Sequence, residues 1–155
     1  MRRFKFVSAL IASSLLLALV TGCTASTTSS LTFDVSTGDS VTVALDTSGG
    51  HKLVEEDGDF IVQQDGKTIL QGSFLTQEGY DEQEAAIDSE SVEDIEEADV
   101  DGNPYVFYEY TEDGTVNELF LLWIDGSHTG VLLGGQSGAE ASQKAFDALT
   151  FSLDS

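Results

Sequence analysis

Asp-Gly occurs five times in the chain, as Asp57-Gly58, Asp65-Gly66, Asp101-Gly102, Asp113-Gly114 and Asp125-Gly126. Asp-Gly suits a tight hairpin because both residues tolerate positive φ, as the turn twisting with the strands requires. The last three pairs follow one another at 12-residue intervals, the spacing of strands in an antiparallel meander. The segments between them do not match, so this is not a solenoid repeat. Punctuation of this kind commits the chain to an antiparallel β-rich fold.

The segments between the turns agree. Ser40 to Leu45 alternates Val41, Val43 and Leu45 with Thr42 and Ala44. Phe60-Ile61-Val62 lies between the first two turns, and Thr68 to Leu75 carries Ile69, Leu70, Phe74 and Leu75. Tyr105 to Tyr110 is rich in aromatic and β-branched residues, which favour strands. Pro104 just before it fits the start of a strand. Val92 to Val100 reads as a strand that hairpins through Asp101-Gly102.

Leu119-Phe120-Leu121-Leu122-Trp123-Ile124 is apolar at every position. Leu119, Leu121 and Trp123 point to one face of a strand, and Phe120, Leu122 and Ile124 to the other. A strand apolar on both faces is buried on both. The sheet is therefore expected to be covered on each side, by helices or by strands that curl over, with Trp123 in the core. Two helices are expected. One runs from about Tyr80 to Ser89, around Ala85, Ala86 and Ile87. The other runs from Ala139 to Leu149, with Ala141, Ala145, Phe146 and Leu149 as its stripe and capping-box spacing from Ser137 to Glu140. Leu149 to Leu153 then alternates as a short last strand.

This layout is α+β, an antiparallel sheet meander flanked by one or two helices. In element order it resembles the fold shared by Mog1 and PsbP and by some small bacterial lipoproteins. The residues that carry the resemblance are Gln71-Gly72-Ser73-Phe74 before the first helix, and Ala145-Phe146-Asp147-Ala148-Leu149-Thr150-Phe151 at the end. That family is functionally mixed and mostly non-catalytic, so the resemblance implies a fold more than a function.

The first residues carry a different message. Met1-Arg2-Arg3-Phe4-Lys5 is basic, and Val7 to Val20 is a nearly unbroken run of apolar and small residues. A basic segment before a short apolar one is the pattern of a secretory signal. The run is shorter than the about 20 apolar residues that span a bilayer. Val20-Thr21-Gly22-Cys23 then resembles the lipobox of bacterial lipoproteins, with Val in place of the usual Leu at its first position. The resemblance implies cleavage between Gly22 and Cys23, acylation of the Cys23 thiol, and a domain held at the extracytoplasmic face of the cell membrane by covalent lipid. Cys23 is the sole cysteine, so no internal disulfide can form. Two acyl chains satisfy the two-signal requirement for stable anchoring. The expected organisation is a signal peptide over 1–22, a lipidated cysteine and small, polar tether over 23–30, and one acidic domain over 31–155.

Removing residues 1–22 sharpens the charge. Arg2, Arg3 and Lys5 leave with the signal, while all 28 acids and only Lys52, Lys67 and Lys144 stay, a formal charge of −25 with no arginine. Nucleic acid is excluded as a partner, because neutralising phosphates needs Lys and Arg. There is no guanidinium to clamp a carboxylate or phosphate in bidentate fashion. Anionic lipid headgroups are repelled within a Debye length, ~8 Å. Such a charge also keeps a tethered domain soluble.

Signatures of catalysis are sparse. The sequence has neither a Gly-x-Ser-x-Gly elbow nor a His-Glu-x-x-His pair. His51, in Gly49-Gly50-His51-Lys52, and His128, just after Asp125-Gly126, read as loop residues, although together with an acid they could make a metal site. Gly66-Lys67-Thr68 copies the end of a P-loop, but Ile61 stands where the first glycine is required. Glu97, Asp99, Asp101 and Gly102 match positions 1, 3, 5 and 6 of a calcium loop, with Tyr108 in place of the bidentate Glu at position 12. The reading carried forward is a non-catalytic, lipid-anchored binding or envelope accessory domain with no cofactor and an unidentified envelope partner. The alternatives are a calcium- or cation-binding lipoprotein using Glu97, Asp99 and Asp101, and an envelope hydrolase with a carboxylate pair in a cleft.

Overall fold

The computed structural model describes residues 27–88 and 92–154. The signal peptide and Gly22-Cys23 lie outside these residues, as does Ser89 at the end of the first expected helix. The described elements run β1 (Thr28–Asp34), β2 (Ser40–Asp46), β3 (His51–Glu56), β4 (Asp59–Gln64), β5 (Lys67–Leu75), α1 (Gln77–Ile87), β6 (Val92–Val100), β7 (Asn103–Glu112), β8 (Thr115–Trp123), β9 (Gly130–Gly135), α2 (Ala139–Asp147) and β10 (Leu149–Leu153). The strands form two antiparallel sheets, β1-β2-β10 and β3-β4-β5-β9-β8-β7-β6. The α+β class is as expected. β1 starts at Thr28, where Thr28 pairs with Asp46, so three residues assigned to the tether belong to the fold.

Four of the five Asp-Gly pairs close two-residue hairpins. Asp57, Asp65, Asp101 and Asp113 have φ of 50–53°, each followed by a glycine at 75–88°. Both central residues at positive φ give the primed turn that follows the strand twist. Asp125-Gly126 departs from the pattern, with only Gly126 in the left-handed region. Residues 124–129 form a longer connection between β8 and β9, braced by Ser127 Oγ donating to the Ile124 carbonyl at 2.7 Å and by the Asp125 N–H donating to Asn103 Oδ1 at 2.8 Å.

The alternation of β8 works as its sequence demands. Phe120, Leu122 and Ile124 enter the main core with Val41, Val43 and Leu45 of β2 and Phe146 of α2. Leu121 faces the other way, into a second cluster with Ile87 and Tyr108, against which Leu119 packs. One face of the long sheet is covered by the short sheet and α2, the other in part by α1. Phe120 lies stacked on Phe146, ring centroids 4.2 Å apart at 8°. Full burial of a side chain this size contributes about 1.5–3 kcal/mol. Trp123 differs from expectation. It is half-buried at the end of β8, edge-on to Tyr80 of α1 at 5.1 Å, because the helix covers the sheet at only part of its width.

Candidate functional site

A cleft of about 890 Å³ lies between the β2–β3 turn, Gln64 of β4 and one side of α2. Asp46, Ser48, Gly49 and His51 form one wall, and Ser137 to Ala141, Lys144, Asp147 and Ala148 the other. The turn wall is tied together by backbone. The Gly50 N–H donates to the Thr47 carbonyl at 3.0 Å, and Gln64 Nε2 donates to the Gly49 carbonyl at 3.1 Å. The Asp46 carboxylate accepts the Ser48 N–H at 2.8 Å. Hydrogen bonds from the Ser48 backbone and then its side chain hold the Asp46 pKa below the ordinary aspartate value.

The helical wall depends on a residue that the sequence reading passed over. Ser137 and Glu140 do not form the expected capping box. The N-cap is Gly138, with φ 95° and no side-chain cap. The cap comes across space from Glu118 of β8, which is buried at 2% exposure. Its carboxylate accepts the Gly138 N–H at 3.1 Å and the Ser142 hydroxyl at 2.9 Å. A carboxylate there satisfies one of the free N–H groups at the helix start, that of Gly138, and suits the positive end of the helix dipole. The period of two puts Glu118 on the same face as Phe120, Leu122 and Ile124, and a charged residue on a core face was the available signal. Gly135 opposite makes the room, since a Cβ there would meet the Ile69 carbonyl oxygen at 2.5 Å and Ser142 Oγ at 2.9 Å.

The chemistry inside the cleft is mild. His51 is the first residue of β3 rather than a loop residue, and its buried Nδ1 has no hydrogen-bond partner. Lys144 is committed to Glu140 at 2.9 Å on the helix surface. That hydrogen bond and the attraction behind it lower the Glu140 pKa and raise that of Lys144. Both side chains are exposed, so the pair adds little to stability.

His128 lies elsewhere, in the β8–β9 connection. Asp39, between β1 and β2, accepts the His128 N–H and the Thr129 hydroxyl, both at 2.7 Å, and its other oxygen lies 3.4 Å from His128 Nδ1. The Thr129 hydroxyl, then the His128 N–H, lower the Asp39 pKa. This latch joins a turn of the short sheet to a turn of the long one. The two histidines share no contact, and among the described residues no group of three or more His, Cys, Asp or Glu is placed to hold a metal ion.

The calcium-loop positions fold otherwise than that motif requires. Glu97 and Asp99 are strand residues paired with Val106 and Pro104. Asp99 Oδ1 accepts the Gly102 N–H at 2.9 Å, closing the hairpin, and Asp101 is the left-handed turn residue. An extended strand spaces its carboxylates along a line, whereas a calcium loop wraps them round a point.

No protein-family model matches the chain, and no curated protein is similar to it at a significant level.

Proposed function

We propose that this chain is a bacterial lipoprotein, anchored through Cys23 at the extracytoplasmic face of the cell membrane, whose acidic domain binds an envelope partner without catalysing a reaction. The observation that carries the reading is the ordered succession of basic head, apolar run and Val20-Thr21-Gly22-Cys23, followed almost at once by folded structure at Thr28. Five residue steps separate Cys23 from Thr28, a reach of at most roughly 18 Å when fully extended. The domain then hangs close to the lipid surface. Its anchored end is the end that carries the cleft: the Thr47 N–H donates to the Thr27 carbonyl at 2.6 Å, and the Asp46 N–H to the Ala148 carbonyl at 2.8 Å. A charge of −25 opposes adsorption to anionic lipid and leaves covalent attachment as the means of retention.

The binding reading is supported by the cleft itself, a concave surface lined by Asp46, Ser48 and His51 on one side and by the first turn of α2 on the other, in which His51 Nδ1 has no hydrogen-bond partner. We also infer kinship with the Mog1/PsbP-like fold. Its support is the order of elements, with α1 between β5 and the meander β6 to β9, and the late helix α2 leading into the short last strand β10. The test of anchoring is metabolic labelling with an alkyne fatty acid in a bacterial host. The chain should take up label and partition into detergent, and Cys23→Ala should lose both properties. Labelling that survives the substitution overturns the proposal.

A further inference from the structure

A second groove, of about 440 Å³, runs between α1 and the β6–β7 hairpin. Ile87, Ile95 and Val106 contribute apolar surface to it, and Asp81, Glu84, Asp88 and Glu97 its carboxylates. Ile95 is 53% exposed, the most open large apolar side chain among the described residues. It sits where the β6–β7 register shifts, between Glu93 and Glu96, on the last strand of the long sheet. Residues 77–99 hold eleven of the 28 acids and no basic residue. Acidic side chains on an edge strand guard against edge-to-edge pairing. That accounts for the charge and not for an isoleucine left open in the midst of it, since a guarded edge is better served by a polar residue there.

Charge selects the occupant. A second copy of this chain would bring the same acidic surface, and an anionic lipid headgroup is repelled in the same way. We propose that the groove docks a cationic segment of a partner protein, with an apolar side chain packed on Ile95 and Val106 and Lys or Arg side chains against Asp81, Glu84, Asp88 and Glu97. An apolar anchor inside a charged rim is how interfaces combine affinity with steering. Neither Cys23 nor the α2 cleft enters this proposal, so its failure leaves the lipoprotein reading standing.

The test is fluorescence anisotropy on the full-length protein in non-ionic detergent at physiological salt. The probes are a labelled peptide of alternating Lys and Leu and one of alternating Lys and Ser. The Lys-Leu peptide should bind about tenfold tighter, the factor one buried apolar contact supplies. Ile95→Ser should abolish that advantage, while Leu153→Ser, an exposed position on the other sheet, should leave it intact. Replacing Asp81, Glu84 and Glu97 together by Asn, Gln and Gln should weaken both peptides. The proposal is overturned if the two peptides bind alike, if neither binds, or if Ile95→Ser and Leu153→Ser act equally, since each result reduces the effect to diffuse attraction or none.

Discussion

Glu118 is the point at which the cleft can be taken apart with one residue. Truncation by Glu118→Ala removes the acceptor of two hydrogen bonds, at 3.1 Å from Gly138 and 2.9 Å from Ser142. The two donors fare differently. Gly138 is exposed and its N–H can turn to water, a loss of about 1 kcal/mol. Ser142 is fully buried, so its hydroxyl is left unsatisfied at about 2–3 kcal/mol. The sum, about 3–4 kcal/mol, corresponds to a fall in Tm of roughly 10–15 °C for a domain of this size. Glu118→Gln behaves differently. The amide oxygen accepts from Gly138, and the amide nitrogen donates to a reoriented Ser142 hydroxyl. Only the charge at the helix N-terminus is lost, about 1 kcal/mol. Urea unfolding followed by Trp123, the sole tryptophan, measures both variants. A cycle with Ser142→Ala isolates the pair, with an expected coupling of about 1–2 kcal/mol. The account fails if Glu118→Ala costs under about 1 kcal/mol, or if Glu118→Gln is as damaging as Ala, since charge and not hydrogen bonding would then hold the helix.

Two further perturbations probe the core. Burial, and after it the neighbouring Tyr110, pushes the Tyr108 phenol up to about 12. Its native pKa lies above the unfolded value of about 10, so stability is intact below pH 10 and falls by about 2 kcal/mol as the pH rises toward 12. Alkaline difference spectroscopy should find Tyr108 titrating last, behind Tyr80, whose phenol is also raised by burial and then by Glu84 and Asp81. Tyr108→Phe should remove that last step, and a wild-type stability profile as flat as that of the variant contradicts the loss. Gly72 lies flat beneath the Phe60 ring, where a Cβ would fall within the ring's own volume. Gly72→Ala should therefore destabilise by about 2 kcal/mol or more through displacement of a fully buried Phe60, and Phe60→Leu should recover part of the loss in chemical unfolding.

Local chemistry was written in the sequence wherever neighbours in the chain decide the outcome. The positive φ of Asp57, Asp65, Asp101 and Asp113 follows from the Asp-Gly pairs themselves. The two-faced burial of β8 follows from six consecutive apolar residues, and the short last strand from the alternation of Leu149 to Leu153. β1, β3 and β9 were not legible. Thr28-Ser29-Ser30 looks like a tether until Ala44, Leu45 and Asp46 supply its hydrogen bonds. Gly130 to Gly135 ends on a glycine because a Cβ at Gly135 would run into the Ile69 carbonyl and Ser142. The calcium-like spacing of Glu97, Asp99 and Asp101 counted positions along the chain, and pairing with β7 drew Glu97 and Asp99 out into a strand and left Asp101 in the hairpin turn.

The sequence by itself determined that the chain folds as an antiparallel α+β domain, that it is strongly acidic, and that a lipobox-like segment precedes it. These are properties of composition and of residues close together in the chain. Only the tertiary structure decided where the concave surfaces lie and what holds them. The α2 cleft exists because Glu118, twenty residues before Gly138, caps that helix across the sheet. The acidic groove exists because α1 is laid against a hairpin whose edge strand leaves Ile95 open. A helix cap made through space and a groove made by two separate elements leave no fixed spacing in a sequence, since the contacts that create them form only when the sheets are assembled.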